Sequence, residues 1–177
     1  MNICLYGAAN ENIDQSYKTA VEALGEQMAI RGHAMIFGGG KYGIMGAAAR
    51  GISRKGGKLY GVAPKFFLPD GVLFEDCTEF FYTEDMRSRK ALMEQKADGF
   101  LVTPGGIGTY EEFLEIFTLV RLKQLDKPIA VFNVNGYYSP MLNLLYHTAE
   151  QGFMDKQSID NILFSDNIDE ILTFLEK

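Results

Sequence analysis

A glycine-rich segment between an apolar strand and an apolar helix is where the sequence offers a binding site for an anion. The segment reads Pro104-Gly105-Gly106-Ile107-Gly108-Thr109-Tyr110-Glu111-Glu112. Three glycines in four positions let the backbone pass close to a ligand, and a helix N-terminus supplies free N–H groups and a partial positive charge. The segment therefore predicts a phosphate site.

The same segment also fits a purely structural interpretation. Thr109 and Glu112 have the spacing of a capping box, in which the two side chains bond each other's backbone amides and no substrate is needed. In the chemical interpretation, Glu112 is a carboxylate beside the phosphate site. Spacing alone leaves both interpretations open.

A run of cationic side chains lies at the start of another predicted helix. It reads Asp85-Met86-Arg87-Ser88-Arg89-Lys90, and the helix dipole disfavours cations at that end. Such runs usually lie on a solvated surface. Here, however, the preceding strand would bring the run to the same edge of the sheet as the 104–112 segment, and a shared anionic ligand would explain this placement.

A second glycine-rich turn, residues 38–43, matches the GxGxxG pattern between a strand and a helix. Dinucleotide binding also needs an acidic residue about 20 positions further on, and the next strand ends in Val62-Ala63-Pro64-Lys65 without one. Gly40-Lys41 is followed by Tyr42, whereas an ATP-binding P-loop has Ser or Thr there. A tight turn explains these glycines as well as a ligand does. We therefore disfavour NAD, FAD and ATP, and we expect no cofactor.

The rest of the chain alternates short apolar runs with longer stretches of helical period, and this alternation predicts the scaffold. It predicts strands at residues 3–7, 34–37, 58–63, 78–82, 99–103, 129–133 and 162–164. It predicts helices at residues 14–31, 43–54, 85–96, 109–125, 138–151 and 168–176. The pattern is typical of a single doubly wound α/β domain, residues 1–177, whose mostly parallel sheet has helices on both faces. Ligands of such sheets bind beyond the carboxyl ends of the strands.

Composition limits the classes of binding partner and the cellular compartments that we expect for the protein. A net charge of −6 disfavours nucleic acid polymers and anionic membrane surfaces, and no apolar run is long enough to span a membrane. Two cysteines, Cys4 and Cys77, are predicted on buried strands, and the start of the chain does not resemble a secretory signal. We therefore expect a cytoplasmic protein. His33 and His147 lack the spacing of metal ligands, so we expect no metal site.

Taken together, the three motifs resemble the Lonely Guy family of cytokinin riboside 5′-monophosphate phosphoribohydrolases, formerly described as lysine decarboxylases. The family signature PGGxGTxxE stands at residues 104–112, the preceding MxxRK at 86–90, and the glycine turn at 38–46. The resemblance covers nearly the whole chain. It implies a Rossmann-like nucleotide-binding domain that hydrolyses the N-glycosidic bond of a purine or cytokinin nucleoside 5′-monophosphate, giving free base and ribose 5-phosphate.

The resemblance also implies a role for individual residues, with Arg89 and Glu112 as the catalytic pair. The residues expected to bind the substrate or its phosphate are Gly39, Gly40, Met86, Lys90, Gly105, Gly106, Ile107, Gly108, Thr109, Tyr110, Glu111 and Thr118. Whether Arg89 contacts the phosphate or the departing base stays open. A homodimer is also expected, because the helix over residues 113–122 is apolar nearly all round and needs cover on more than one side.

The chain departs from the family pattern where the base would be recognised. Gly7-Ala8-Ala9 stands where many members have Gly-Ser-Ser, Phe66 occupies an often acidic position, and the loop from Phe66 to Asp76 is longer than in plant members. Adenine and an N6-substituted adenine therefore both remain candidate bases. The competing hypothesis is a non-catalytic carrier of a nucleotide or phosphorylated cofactor, which would not need both Arg89 and Glu112.

Overall fold

The computed structural model describes the whole chain, Met1–Lys177, and its centre is a sheet of seven parallel strands. The strands are β1 (Asn2–Tyr6), β2 (Ala34–Phe37), β3 (Leu59–Pro64), β4 (Glu79–Thr83), β5 (Gly99–Val102), β6 (Ile129–Phe132) and β7 (Leu163–Ser165). Their order across the sheet is β4-β3-β2-β1-β5-β6-β7, with every neighbouring pair parallel. The order in which strands are added to the sheet therefore reverses between β1 and β5. Sheets of this kind bind ligands in the crevice beyond the carboxyl ends of the two strands at that point.

Helices cover both faces of the sheet. They are α1 (Gln15–Ile30), α2 (Gly43–Arg54), α3 (Met86–Lys96), α4 (Ile107–Arg121), α5 (Ser139–Glu150), α6 (Lys156–Asp160) and α7 (Ile168–Leu175). Short 3-10 helices lie at Lys65–Asp70 and Val134–Gly136. None of the helices is both long and apolar enough to cross a membrane.

Two apolar cores form because side chains along a strand alternate between the faces of the sheet. Ile3 and Leu5 of β1 pack in one core with residues of α1, α2 and α7. Cys4 and Tyr6 of the same strand pack in the other core with residues of α3, α4, α5 and α6. The central strand is thus buried on both sides, which holds the loop that follows it in a fixed position.

Local capping explains where several helices begin and end. The Asp85 side chain accepts the Ser88 N–H at 2.8 Å, so α3 begins directly after it despite the cationic run. Gly32 and Gly152 follow the ends of α1 and α5 with φ of 75° and 82°, a conformation that favours glycine. The cap at Asp85 thus fixes the first turn of α3, in which the Arg89 N–H donates to the Asp85 carbonyl at 3.1 Å.

The fold class, the seven strands and the six longer helices predicted from the sequence are confirmed, with ends that differ by up to four residues. Sequence reasoning missed α6, a five-residue helix with a single buried side chain, Ile159, which is too short to show a period. The placement of Cys77 on a strand was wrong. Cys77 precedes β4, and its thiol contacts the Phe74 carbonyl.

Candidate active site

A cavity of about 530 Å³ lies beyond the carboxyl ends of the central strands. It is bounded by the loops after β1, β2 and β3 and by the first turns of α3 and α4. Its lining residues are Gly7, Ala8, Ala9, Asn10, Gly38, Gly40, Tyr42, Met45, Phe67, Val72, Leu73, Met86, Arg89, Gly106, Gly108, Thr109 and Glu112. The cavity therefore occupies the crevice at the β1–β5 switch point.

Arg89 and Glu112 form a buried ion pair in this cavity. Their residues are 8% and 9% exposed, and Arg89 Nη1 lies 3.3 Å from Glu112 Oε1. Arg89 Nε also donates to the Val62 carbonyl at 3.1 Å, which ties the guanidinium to the end of β3. Because two of its five N–H donors are committed to these bonds, others remain for a ligand.

Burial raises the pKa of the Glu112 carboxyl to about 7, because a desolvated carboxylate is penalised relative to the neutral acid. The positive charge of Arg89 opposes this rise, and the negative charge of Glu111 adds to it. A carboxyl group in a cleft whose pKa lies close to neutrality is typical of a group that handles charge or protons in a reaction.

The capping-box interpretation of Thr109 and Glu112 was wrong. The N-cap of α4 is Gly106, which has no side chain to accept an N–H, and Thr109 is the third residue of the helix. Glu112 lies in the second turn, and the recorded side-chain partner of its carboxylate is Arg89. The helix starts at Ile107, two residues earlier than predicted. Its first turn was not recognised in the sequence because it contains Gly108, and glycine is a poor helix former.

The backbone amides at the start of α4 have no acceptor within the protein. These are the N–H groups of Gly106, Ile107, Gly108 and Thr109. Gly106, Gly108 and Thr109 line the cavity. Unpaired amides at the positive end of a helix form a site for an anion.

The amides at the start of α2, after the other glycine turn, are already bonded. The Gly43 N–H donates to the Glu11 carboxylate at 2.8 Å, and the Ile44 and Met45 N–H groups donate to the Ala8 carbonyl. The Glu11 carboxylate thus occupies the place that a phosphate could take at this helix. The first amides of α2 are therefore occupied, whereas those of α4 are free for a ligand.

One wall of the cavity is an apolar strap, residues 65–74, which overlaps the 66–76 loop where the sequence departs from the family pattern. Phe67, Val72 and Leu73 of the strap line the cavity. The strap is bonded to the glycine turn after β2, with the Lys41 N–H donating to Val72 O at 2.9 Å and the Phe74 N–H donating to Gly39 O at 2.8 Å. The run of apolar residues Phe66-Phe67-Leu68 is the sequence feature that indicates an apolar wall here.

The sequence-predicted site residues fall into two groups in the structure. Those that line the cavity are Gly40, Met86, Arg89, Gly106, Gly108, Thr109 and Glu112. Those that do not line it in the single chain are Gly39, Lys90, Gly105, Ile107, Tyr110, Glu111 and Thr118.

Members of the second group have other contacts. Lys90 pairs with Glu111 and Glu115 on α4, and Thr118 is exposed and bonds the Leu114 carbonyl. Tyr110 lies against Tyr138, with ring centroids 6.1 Å apart. A role for these residues in binding stays a prediction.

Other polar side chains of interest lie outside the cavity. His33 contacts Glu176 with its Nε2 2.8 Å from the carboxylate, and His147 is exposed on α5. No group of three or more His, Cys, Asp or Glu side chains is arranged to hold a metal ion.

Replacing Gly38 by alanine is expected to lower the turnover of any substrate that depends on Arg89. An added Cβ would lie 2.1 Å from Arg89 Nη2, so the guanidinium would have to move. Misplacing a reacting group by about 1 Å can cost up to ~10²-fold in rate. Steady-state kinetics and a melting curve on Gly38→Ala test this, and unchanged kcat/KM in a normally folded variant would contradict it.

Comparison with protein families gives a match to the family described as "Possible lysine decarboxylase" over residues 45–175. The chain is similar to an Arabidopsis thaliana protein named cytokinin riboside 5′-monophosphate phosphoribohydrolase LOG4, with 33% identity covering 99% of this chain and 81% of the relative. It is also similar to a rice protein named as a probable enzyme of the same kind, with 35% identity covering 98% of this chain and 75% of the relative.

Solved structures share the fold at lower sequence identity. The molybdenum cofactor carrier protein of Chlamydomonas reinhardtii superimposes with a TM-score of 0.72 at 17% identity, covering 99% of this chain and 98% of the other. The molybdenum cofactor binding protein of Rippkaea orientalis gives 0.69 at 13% identity, covering 99% and 93%. At these identities the likeness shows the fold and nothing further.

Proposed function

The chain belongs to the Lonely Guy family, matched under the description of possible lysine decarboxylases, and on that premise we propose that it hydrolyses the N-glycosidic bond of a purine nucleoside 5′-monophosphate. The products are the free base and ribose 5-phosphate. One observation carries the proposal: the buried Arg89–Glu112 pair and the free amides of α4 face the same cavity.

The spacing along α4 supports this substrate. The helix rises about 1.5 Å per residue, so Ile107 and Glu112 are separated by roughly 7.5 Å along its axis. This span is comparable with the distance between the phosphorus and the anomeric carbon of ribose 5-phosphate. A phosphate on the amides of residues 106–109 would therefore bring C1′ close to the Glu112 carboxylate.

Glu112 acts on the sugar in the proposed mechanism. The bond between C1′ and the base nitrogen breaks with its electrons leaving on the base, and the sugar develops positive charge as an oxocarbenium-like species. An ionised Glu112 stabilises that charge, and it orients water or takes its proton as the water oxygen bonds to C1′. The proton lost by the water ends on the base nitrogen, so that neutral base and ribose 5-phosphate are released.

Arg89 has two functions in this proposal. Its bond to Glu112 favours the ionised carboxylate, because a nearby positive charge lowers the pKa that burial raises. Because the guanidinium lies beside Glu112, a substrate with C1′ at Glu112 has its base, rather than its phosphate, near Arg89. We therefore assign the remaining donors of Arg89 to the departing base.

The apolar strap is the proposed neighbour of the base. Phe67, Val72 and Leu73 give this wall no hydrogen-bonding side chain, and Ala8 and Ala9, which also line the cavity, add none. Adenine and an N6-alkylated adenine both suit such a wall, and we keep both as candidate bases.

The alternative is a carrier that binds a nucleotide or phosphorylated cofactor without reaction. The shared fold of the molybdenum cofactor carriers keeps this alternative open. Binding alone does not need a buried carboxyl group whose pKa lies near 7 in the same cavity, and this feature favours the enzyme.

The proposed activity is tested by incubating the protein with AMP and with isopentenyl-AMP, followed by chromatography for free base and an assay for ribose 5-phosphate. Equal amounts of the two products are expected from at least one substrate. Heat-denatured protein and Glu112→Gln serve as controls. Tight binding of both nucleotides without any release of base would favour the carrier instead.

The pH dependence follows from the pKa of Glu112. Because the ionised form is the active one and the pKa is raised to about 7, kcat/KM should rise with pH up to about 7 and level off above it. Removing the neighbouring negative charge by Glu111→Gln should lower the pKa of Glu112 and move this rise to lower pH.

Kinetics between pH 5 and 9 on the wild type and Glu111→Gln provide the measurement. A rate that falls as the pH rises through 7 would mean that Glu112 acts in its protonated form. An identical pH profile for the two proteins would mean that the rise belongs to another group, such as the phosphate of the substrate.

Assembly as a homodimer and a cytoplasmic location also stay proposals. Phe113, Ile116 and Phe117 of α4 face the core, whereas Leu114 and Leu122 are 46% and 61% exposed. Exposed leucines on and just after a helix that is already buried on its other side support cover by a second copy of the chain.

A further inference from the structure

Three successive carbonyl groups of the segment before α4 are each held by a hydrogen bond from elsewhere in the chain. The Tyr138 hydroxyl donates to Thr103 O at 2.8 Å, and the Ala8 N–H donates to Pro104 O at 3.1 Å. The Tyr137 hydroxyl donates to Gly105 O at 2.7 Å. The segment is therefore fastened through its carbonyl groups, while the amides that follow are free.

Fixing a carbonyl group also fixes the next amide. A trans peptide unit is planar, so the C=O of one residue and the N–H of the next point in opposite directions. The bond from Tyr137 to Gly105 O thereby sets the direction of the Gly106 N–H. Gly106 lines the cavity, and its N–H has no acceptor in the protein.

The peptide unit between Gly105 and Gly106 would be free to rotate without such a bond. With no Cβ on either side, its plane can rotate at little steric cost. A free amide that samples several directions binds an anion less well than one already aimed at it, because binding must then order it.

We propose that Tyr137 is a positioning residue that aims the Gly106 N–H at an anion bound before α4. The inference rests on the proposed function in one respect, namely that this anion is the 5′-phosphate of the substrate. Tyr137 does not line the cavity, so it acts on the ligand through the peptide group and not by contact.

The surroundings of Tyr137 suit this role. Because its hydroxyl hydrogen is given to Gly105 O, the Tyr110 hydroxyl is the donor in the 3.3 Å contact between the two tyrosines. Burial raises the pKa of Tyr137 to about 12, so it remains a hydrogen-bond donor at neutral pH. The rings of Tyr17 and Tyr138 pack edge-on against it, with centroids 5.6 and 4.9 Å away.

The turn that carries Tyr137 is itself fixed by the sequence. Asn135 and Gly136 adopt positive φ of 55° and 70°, and the Asn133 side chain accepts the Tyr138 N–H at 2.6 Å. Asn and Gly are the residues that tolerate this conformation. The turn thus places both tyrosine hydroxyls within hydrogen-bond distance of the carbonyl groups of residues 103 and 105.

The test compares Tyr137→Phe with Tyr146→Phe by calorimetry, using ribose 5-phosphate and adenosine as ligands. Both variants keep the ring and lose one donated bond, since the Tyr146 hydroxyl donates to Asp160 at 3.2 Å, away from the cavity. Tyr137→Phe should weaken the binding of ribose 5-phosphate by about tenfold, the order expected for one charge-assisted hydrogen bond. Its affinity for adenosine should not change, and Tyr146→Phe should resemble the wild type with both ligands.

A second measurement follows the Gly106 amide directly in glycine-labelled protein by nuclear magnetic resonance. Inorganic phosphate should shift the Gly106 N–H signal in the wild type, and Tyr137→Phe should need a higher phosphate concentration for the same shift. The proposal is overturned by equal phosphate affinity in the two proteins, or by an equal loss of adenosine and ribose 5-phosphate binding in Tyr137→Phe. It is also overturned if phosphate leaves the wild-type Gly106 signal unmoved.

Failure of the proposed function gives a different result. A wild-type protein that binds ribose 5-phosphate and shows the Tyr137 effect, but releases no base from AMP or isopentenyl-AMP, would refute the hydrolysis and keep the role of Tyr137.

Discussion

Replacing Glu112 by glutamine should abolish the release of free base from AMP, while the variant stays folded and still binds AMP. The change keeps the shape of the side chain and removes the negative charge that stabilises the sugar in the transition state. Loss of a single preorganised electrostatic group costs about 10²–10³ in kcat, and Glu112 is the only carboxylate that lines the cavity. Single-turnover chromatography measures the release, and calorimetry measures the binding.

The matched control is Glu115→Gln, the same change one turn further along α4. Glu115 pairs with Lys90 and does not line the cavity, and Lys90 keeps Glu111 as a partner in the variant. Turnover by Glu115→Gln should therefore match the wild type. Wild-type turnover by Glu112→Gln would show that Glu112 does not take part in the reaction.

Stability supplies an independent check that Glu112→Gln is folded. A carboxyl group whose pKa is raised in the folded protein contributes full stability below its unfolded pKa and loses it as the pH rises through about 7. Glutamine does not titrate. The melting temperature of the variant relative to the wild type should therefore be higher at pH 8 than at pH 5.

Much of the fold could be predicted because its signals are local. Apolar runs such as Ile3-Cys4-Leu5-Tyr6 are bounded by turn residues, and strands buried on both faces read as continuous apolar runs. Once the strands are parallel, their carboxyl ends meet at one edge. The meeting of Arg89 and Glu112, 23 positions apart in sequence, follows from that rule and from the family resemblance.

The parts that could not be predicted depend on contacts between distant segments. Nothing in the sequence near Gly43 shows that the Glu11 carboxylate closes the start of α2, so the choice between a tight turn and a ligand site at residues 38–43 stayed open. The strap contains apolar residues, but they do not repeat with the period of a helix or a strand. Its position depends on two backbone hydrogen bonds to the glycine turn after β2. The sequence gives no sign that Tyr137 and Tyr138 hold the 103–105 backbone, because their hydroxyl partners are more than 30 positions away.

Adenosine should be a far poorer substrate than AMP, although both contain the bond that breaks. The amides of residues 106–109 have no acceptor in the protein, and adenosine has no anion to offer them. Charge-assisted hydrogen bonds contribute about 1.5–3 kcal/mol each, so losing two or three should lower kcat/KM by roughly 10²–10⁵. Steady-state kinetics on the two substrates measure the ratio.

Part of this loss should appear in kcat and not only in KM. Binding energy from a remote group can be used to hold the reacting centre, and here the phosphate would hold C1′ against Glu112 along a single rigid helix. Adding ribose 5-phosphate should inhibit AMP hydrolysis competitively, because it occupies the same amides. Equal kcat/KM for adenosine and AMP would mean that the start of α4 does not bind the phosphate, and the specificity for monophosphates would then have to be abandoned even if hydrolysis itself were observed.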